Sequence, residues 1–305
     1  MDAARIVAEG LRFPEGPVVL RDGSLVVCEM AAGFLARVDP DAGTVERIVE
    51  TGGGPNGAAL GPDGALYVCN NGGWPMEEFG SLLVPADVNQ GDDYIGGSIQ
   101  RVDLATGDVA TVYDGLHSPN DIVFDTDGGF WFTDYGKQRE HDEDRGVVWY
   151  GRPDGSPLRR AAHGLLRPNG IGLSPDGRTL VVAETPTGRL WAWGIDGPGE
   201  LAKALPFGNG GTLVAGVGGL QYFDSLAVEA DGRICAATIY NPGITVATPD
   251  GAQVEHLPLP GECFDSIPTN ICFAGDDLRT AYVTLSATGR VMACRWPRPG
   301  LRLAH

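Results

Sequence analysis

Short apolar runs alternate along the chain with turn-forming residues, in a phrase that occurs six times. Each copy contains a polar residue, an apolar run, an Asp-Gly-type turn and a second apolar run. The copies are PEGPVVLRDGSLVVCE, PNGAALGPDGALYVCN, PNDIVFDTDGGFWFTD, PNGIGLSPDGRTLVVAE, YFDSLAVEADGRICAAT and PTNICFAGDDLRTAYVT. Because Asp-Gly tolerates the positive φ of a tight turn, each copy predicts a β-hairpin.

Further strand-like runs follow each hairpin, as in GFLARVDP and TVERIVE, and give about four strands per repeat. Four strands in a period of about 50 residues are typical of propeller blades. The sixth repeat lacks an obvious fourth strand, whereas the segment Ala4–Ala8 precedes the first repeat and can supply it. We therefore predict an all-β fold over residues 1–305, a single six-bladed β-propeller closed by an N-terminal strand. An open array or a two-sheet sandwich would not explain the extra strand.

One polar residue lies seven positions before the turn aspartate in every repeat. We call this set the ring residues: Glu15, Asn56, Asn120, Asn169, Asp224 and Asn270. The innermost strands of a propeller run in the same direction along its axis, so equal register means equal height. The ring residues are therefore expected to converge at one end of the central channel, the mouth.

Other polar and aromatic residues are expected to surround this mouth. The second strands end in Glu29, Asn70, Asp134, Glu184, Thr238 and Thr284, which lie beside the ring residues and are expected to support them. Three long connections, 71–97, 135–146 and 206–221, are expected to open on the same face as a lid. Their Trp74, Met76, Phe79, Tyr94 and Tyr135 are expected to wall an apolar pocket.

The net charge of −18 argues against a nucleic-acid partner, which requires a basic face, and against docking on anionic membranes. The chain has no apolar run of about 18 residues and no signal-peptide pattern at its N-terminus. Its six cysteines lack metal-binding spacing and are expected to be reduced. A cytoplasmic location is therefore expected.

The chemistry of the ring residues favours a hard cation. Carboxylate and amide oxygens suit Ca²⁺ first and Mg²⁺ or Mn²⁺ next. The alternative is that these residues are ordinary turn residues that precede strands. The shared register of the six positions favours a site. His117, three residues before Asn120, is the one histidine near the mouth and is either a loop residue or a proton shuttle.

At these positions the chain resembles the SMP-30/gluconolactonase/LRE-like family of six-bladed propellers. The resemblance extends over essentially the whole chain, through FPEGPVV, SPNDIVFDTDGGFWFTD, RPNGIGLSPDG, FDSLAVEADG and TNICFAG. It implies a metal-dependent lactone hydrolase with Glu15, Asn169 and Asp224 as metal ligands. One divalent ion is implied, Ca²⁺ first, with Mg²⁺, Mn²⁺ or Zn²⁺ as alternatives.

The resemblance also implies how a small-molecule substrate is handled. Asn120 matches a position that binds substrate or, in related propellers, the metal, and Asn56 and His117 complete the predicted substrate-binding set. The hypothesis is that the ion polarises the lactone carbonyl while Asp224, the predicted catalytic residue, accepts a proton from water.

The natural substrate and the oligomeric state are left open by the sequence. Ser118 stands where sugar-lactone members of the family carry an arginine. Alternative hypotheses are an organophosphate hydrolase, a lyase, isomerase or cyclase that uses the same site, and a non-catalytic binding propeller.

Overall fold

The computed structural model describes all 305 residues of the chain. They form 27 β-strands and a single 3₁₀ turn, Gly261–Cys263. The strands are β1 (Asp2–Ala8), β2 (Pro14–Val19), β3 (Leu25–Glu29), β4 (Phe34–Asp39), β5 (Thr44–Glu50), β6 (Pro55–Leu60), β7 (Leu66–Asn70), β8 (Met76–Phe79), β9 (Leu82–Pro85), β10 (Gly97–Val102), β11 (Val109–Leu116), β12 (Pro119–Phe124), β13 (Phe130–Asp134), β14 (Gly146–Gly151), β15 (Arg159–Leu165), β16 (Pro168–Leu173), β17 (Thr179–Glu184), β18 (Arg189–Gly197), β19 (Glu200–Leu201), β20 (Thr212–Gly216), β21 (Tyr222–Val228), β22 (Ile234–Ile239), β23 (Gly243–Ala247), β24 (Val254–Pro258), β25 (Pro268–Ala274), β26 (Thr280–Leu285) and β27 (Arg290–Arg295). The structure contains no helix of the length and apolar character needed to cross a membrane.

Six antiparallel sheets follow one another around the channel as the blades of a propeller. They are blade 1 (β2–β5), blade 2 (β6, β7, β10, β11), blade 3 (β12–β15), blade 4 (β16–β18 and β20, with β19), blade 5 (β21–β24) and blade 6 (β25–β27 with β1). A separate hairpin, β8–β9, lies in the connection between β7 and β10. The prediction of a six-bladed β-propeller is confirmed.

The ring closes between the two ends of the chain. The N-terminal strand β1 pairs antiparallel with β27 and forms the outer strand of blade 6, with Arg5 opposite Ala293 and Ile6 opposite Met292. The predicted segment Ala4–Ala8 lies within this strand. Closure therefore joins the N-terminal strand to the last strands of the chain within one sheet, that of blade 6.

The core lies between neighbouring blades, where their faces pack together. The second strand of each blade is buried on both faces, so its sequence reads as a continuous apolar run, as in LVVCE of β3. Trp131 of blade 3 and Trp193 of blade 4 belong to one cluster between those blades. The outer strands carry charged, exposed residues, as in TVERIVE of β5, which disfavour pairing of the sheet edge with another chain.

Five of the six hairpin turns use glycine, and the sixth uses leucine. In blade 2, Gly64 has a φ of 78°, which the predicted Asp-Gly turn requires. In blade 6 the corresponding residue is Leu278, with a φ of 52°. This left-handed conformation is unfavourable for a leucine, and hydrogen bonds fix it: its N–H donates to Gly275 O at 3.0 Å and its carbonyl accepts from Gly300 N at 2.7 Å.

Residues 296–305, the C-terminal segment, run along the lower ends of several blades, on the side opposite the mouth. Leu301 N donates to Val228 O in blade 5 at 2.8 Å. The segment ends at blade 3, where His305 Nε2 lies 3.2 Å from Asp125 O and its ring packs edge-on against Phe124. Val228 and Phe124 end the innermost strands of their blades, so the segment follows the lower ends of these strands.

A buried glutamate anchors this segment. Glu229 is fully buried and accepts hydrogen bonds from Trp296 Nε1 at 2.7 Å and from Arg298 Nε at 2.5 Å. Glu255 also pairs with Arg298, at 2.6 Å, but its side chain is 48% exposed. The two acidic partners of one arginine therefore differ in burial.

We expect Glu229→Ala to lower the free energy of unfolding by about 2–4 kcal/mol, because the indole N–H and the guanidinium lose their buried acceptor. Glu255→Ala removes the exposed partner of the same arginine and serves as the control, with an expected loss below about 1 kcal/mol. Urea unfolding curves of the two variants measure the difference. Equal losses would mean that Glu229 is not the anchor.

Candidate active site

The ring residues lie near the start of the innermost strands, where each of these strands is irregular. All six are buried, with between 3% and 8% of their surface exposed. Pairing with the second strand is interrupted at this point in every blade, for example between Glu15 and Val18 and between Pro119 and Ile122. Such bulges bend a strand and re-aim its side chains. They therefore allow two consecutive residues of one strand to face the channel.

Hydrogen bonds between blades show that the ring side chains converge. Asn270 Nδ2 donates to Glu15 Oε2 at 3.4 Å and joins blade 6 to blade 1. Ser225 Oγ donates to Asn169 Oδ1 at 3.3 Å and joins blade 5 to blade 4. Asp224 also accepts a hydrogen bond from the Asn169 side chain. The three residues predicted to bind metal, from blades 1, 4 and 5, thus lie at one mouth.

The carboxyl groups at this mouth have strongly perturbed pKa values. Burial, followed by the negative charge of Asp224, raises the pKa of Glu15 well above its usual range. Burial raises the pKa of Asp224 to about 7, and the negative charge of Asp121 adds to the increase. Buried carboxylates that repel one another favour the neutral form unless a cation compensates them. The mouth is therefore an anionic site suited to a positive ion.

Asp121 is a site residue that the sequence analysis missed. It follows the ring residue Asn120, is 7% exposed, and accepts a hydrogen bond from Ile122 N at 3.0 Å. Burial raises the pKa of Asp121 to about 7. Gly57 of blade 2 packs directly against this carboxylate and leaves no room for a side chain. The available signal was its position: only in this repeat is the ring residue followed by a charged residue.

The polar residues that end the second strands support the ring through the backbone. Glu29 accepts from Arg12 N at 2.9 Å, and Glu184 accepts from Leu166 N at 2.6 Å. Asp134 accepts from Ser118 N at 2.8 Å. In each case the amide precedes the ring residue of the same blade by two or three positions. These carboxylates therefore position the segment that leads into the innermost strand and do not contact the ring side chains.

The amide side chains of the ring supply unpartnered acceptors. Asn56 Oδ1 and Asn120 Oδ1 are both buried and accept no hydrogen bond. No group of three carboxylate, imidazole or thiolate side chains has metal-binding geometry, so a cation here must take amide or water oxygens as well. Buried, unpartnered acceptors beside two carboxylates fit a hard, oxygen-binding cation.

The connection 71–97 covers one side of the mouth. Its hairpin β8–β9 extends from blade 2 across blade 1 to blade 6, where Leu83 N donates to Ala287 O at 2.9 Å. Leu83 packs with Phe13 and Met30 of blade 1, and Trp74 and Met76 pack against the same cluster. The apolar residues of this connection thus roof the side of the mouth that holds Glu15.

The connection 135–146 interlocks with this roof. Asn89 is fully buried and donates from Nδ2 to Gly136 O at 2.7 Å, while Gln138 N donates to Asn89 Oδ1 at 2.8 Å. The rings of Trp74 and Tyr135 meet edge to face, with centroids 5.3 Å apart. Two of the three predicted lid connections therefore form one covering layer over blades 6, 1, 2 and 3.

The structure corrects two expectations about the lid and adds a contact to a third. Of the connection 206–221, residues 212–216 form the outer strand β20 of blade 4 instead of a lid. Phe79 lies at the tip of the hairpin with 77% of its surface exposed and does not wall a pocket. The hydroxyl of Tyr94 donates to His117 O at 2.6 Å, which fixes the ring to the rim.

His117 lies at the rim of the mouth and away from the ring side chains. Its side chain is 56% exposed, and its Nδ1 lies 3.5 Å from a carboxylate oxygen of Asp144. The neighbouring Ser118 Oγ is buried and has no hydrogen-bond partner. Of the residues predicted to bind substrate, the structure brings Asn56 and Asn120 to the ring but not His117.

Comparison with known proteins gives a consistent match. A family model described as the SMP-30/Gluconolactonase/LRE-like region matches residues 13–287. A protein named lactonase drp35 from Staphylococcus saprophyticus is 29% identical over 258 residues, which cover 84% of this chain and 72% of that protein.

Solved structures match over nearly the whole chain. A gluconolactonase from Xanthomonas campestris superposes with a TM-score of 0.72 at 24% identity and covers 96% of this chain and 89% of its own. Regucalcin from Agrobacterium tumefaciens, described as a calcium-binding protein, superposes with a TM-score of 0.73 at 18% identity and covers 99% of this chain and 98% of its own. At these identities the structural matches show the fold.

Proposed function

Because the chain belongs to the SMP-30/gluconolactonase/LRE-like family, we propose that it hydrolyses lactones at a divalent-cation site in the mouth of the propeller. The observation that carries the proposal is the pair of buried carboxyls, Glu15 and Asp224, whose pKa values burial raises, beside unpartnered amide oxygens. Relatives named lactonase and gluconolactonase support the reaction class.

Glu15, Asn169 and Asp224 would hold the cation. Ca²⁺ is the first candidate, because carboxylate and amide oxygens match its preference, and Mg²⁺, Mn²⁺ or Zn²⁺ are alternatives. When bound, the ion would polarise the lactone carbonyl and lower the pKa of water. The calcium-binding relative of the same fold supports this choice.

The remaining residues of the mouth would bind and orient the lactone. Asn56 and Asn120 present buried amide groups at the height of the predicted metal ligands. Trp74, Met76 and Tyr135 form an apolar wall beside them and would exclude bulk water from the reacting ester. Exclusion of water strengthens each electrostatic contact that the mouth makes.

Two carboxyls are placed to accept the proton of the attacking water. Asp224, the base expected from the sequence, is also a proposed cation ligand, and coordination would lower its basicity. Asp121 lies close enough to Glu15 and Asp224 for its charge to act on both, it is outside the proposed ligand set, and its pKa of about 7 suits a general base at neutral pH. We propose Asp121 as the second candidate base.

The primary test of this function is hydrolysis of a panel of lactones by purified protein, before and after chelation and after return of Ca²⁺, Mg²⁺ or Mn²⁺. A phosphotriester in the same panel tests the organophosphate alternative. Hydrolysis of at least one lactone, lost with chelator and restored by one ion, is the expected result. Undiminished hydrolysis after complete chelation would contradict the role of the cation.

The cation-free protein is expected to become less stable as the pH rises from about 5 to about 8. The pKa values of Glu15, Asp121 and Asp224 are raised in the folded state, so these groups keep protons that the unfolded chain has already lost. The unfolded state then binds fewer protons, and the free energy of unfolding falls with pH. Carboxyls whose pKa is lowered, such as Asp63, titrate below this window.

Thermal unfolding in chelator at several pH values measures how steeply the stability falls with pH. Ca²⁺ at 100 times its Kd should raise the free energy of unfolding by about 2.7 kcal/mol, most visibly at high pH. Asp224→Asn serves as the matched variant and should flatten the slope in chelator. A Tm that rises with pH across this window would contradict the assignment.

A further inference from the structure

Arg167 is held at the rim of the mouth by the segment that leads into blade 4. It lies two residues before Asn169 and has a φ of 50°, a conformation that is unfavourable for arginine. Its carbonyl accepts from Thr185 N at 3.2 Å, and the preceding Leu166 N donates to Glu184 at 2.6 Å. The backbone is thus fixed on both sides of an unfavourable conformation, which favours a positioned side chain.

The guanidinium of Arg167 contacts the covering layer. Its Nε donates to Glu143 Oε2 at 2.5 Å, and both side chains are 27% exposed. With the buried Gln138 amide turned so that its oxygen faces the guanidinium, that oxygen accepts at 2.7 Å. A guanidinium has five N–H donors, and these two acceptors leave donors free. Arg167 is therefore only partly satisfied within the protein.

The covering layer also reaches blade 4, through the contacts of Glu143 and Gln138 with Arg167. Beside Arg167, Thr185 at the top of blade 4 keeps a buried Oγ1 without a hydrogen-bond partner. Elsewhere at the rim, Arg12 faces Glu78 at 3.8 Å, and His117 faces Asp144. Arg167 is therefore the basic side chain at the blade 4 edge of the covering layer, two residues before Asn169.

We propose that Arg167 is a specificity-determining residue that binds a carboxylate carried by the lactone, a place that the Glu143 carboxylate takes in the free protein. The inference rests on the proposed lactone hydrolysis. An anionic substrate is otherwise disfavoured here, because the chain carries a net charge of −18 and three carboxyls lie at the mouth. A guanidinium binds a carboxylate through two parallel hydrogen bonds, and exchange of one carboxylate for another preserves this pairing.

The first experiment measures binding without catalysis. Tetrahydrofuran-2-carboxylate has the ring and charge of a carboxylated γ-butyrolactone but no ester carbonyl, and tetrahydrofurfuryl alcohol is its neutral counterpart. In calorimetry we expect the carboxylate to bind the Ca²⁺-loaded protein about 10- to 100-fold more weakly after Arg167→Gln, and severalfold more tightly after Glu143→Gln. The affinity of Arg167→Lys should be intermediate, because lysine keeps the positive charge but cannot form the two parallel hydrogen bonds of a guanidinium.

The second experiment compares two lactones of the same ring size, a γ-butyrolactone with a carboxylate on its γ carbon and γ-valerolactone, its neutral methyl analogue. Arg167→Gln should lower kcat/KM for the carboxylated lactone about 10- to 100-fold, chiefly through KM, and change the neutral lactone less than about twofold. Arg160→Gln is the matched control, because Arg160 is exposed on the outer strand β15 and should leave both lactones unchanged.

The outcomes separate this inference from the proposed function. Normal hydrolysis of both lactones by Arg167→Gln would overturn the inference and leave lactone hydrolysis standing. Arg167-dependent binding of the carboxylate probe, without hydrolysis of either lactone, would support the inference and overturn the reaction. Failure of the native protein to bind the probe would overturn the inference alone.

Discussion

Asp224→Asn is expected to lower kcat/KM for a lactone by about 1,000-fold or more and to weaken Ca²⁺ binding severely. The substitution keeps the shape of the side chain but removes one of the two carboxylates that would hold the cation. The loss should therefore affect the ion and the reaction together. Glu15→Gln, made in blade 1, should behave in the same way. Calorimetric titration with Ca²⁺ and initial rates at saturating Ca²⁺ measure both effects.

Asp276→Asn is the matched control, because this aspartate is exposed in the last hairpin turn. It should bind Ca²⁺ and hydrolyse lactones as the native protein does. Native Ca²⁺ affinity in both Asp224→Asn and Glu15→Gln would rule out the proposed cation site. Native affinity with lost activity in Asp224→Asn alone would instead assign this residue to proton transfer.

Asp121→Asn is expected to lower kcat by about 100- to 1,000-fold while Ca²⁺ affinity changes only a few-fold. The asparagine cannot accept a proton from water, but the proposed cation ligands remain. In the native protein the rate should rise with pH through a midpoint no higher than about 7, because the pKa of Asp121 is about 7 without the cation and a nearby positive charge lowers it. The pH–rate profile measures this rise, which forms its acidic limb.

In Asp121→Asn the acidic limb should disappear from the residual activity. Ser225→Ala is an informative companion, because it removes a hydroxyl that lowers the pKa of Asp121 and keeps the carboxylate. It should move the midpoint upward and lower kcat much less than Asp121→Asn. An unchanged acidic limb in Asp121→Asn would return the role of base to Asp224.

The fold was predictable because its signals are local and occur in every repeat. Each hairpin turn has its own Asp-Gly or equivalent, and the apolar runs beside it have strand length. Closure by β1 followed from the missing fourth strand of the sixth repeat. The left-handed backbone of Leu278 could not be predicted from the local sequence. It depends in part on a hydrogen bond from Gly300, which lies in the C-terminal segment.

The ring residues were predictable for a related reason: equal register in equivalent strands gives equal height in the channel. Asp121 was missed because strict alternation would turn it away from a channel that Asn120 faces. The bulge after Asn120 breaks this alternation, and nothing in the alternating pattern marks a bulge. The contacts of Asn89 and Arg167 could not be predicted from the sequence either, because they join connections from different blades.

The C-terminal segment lies against the lower ends of blades 5 and 3, on the side of the propeller away from the mouth. Leu303 of this segment is 63% exposed. A fluorescent label attached at this position is therefore expected to leave cation and substrate binding at the ring residues undisturbed.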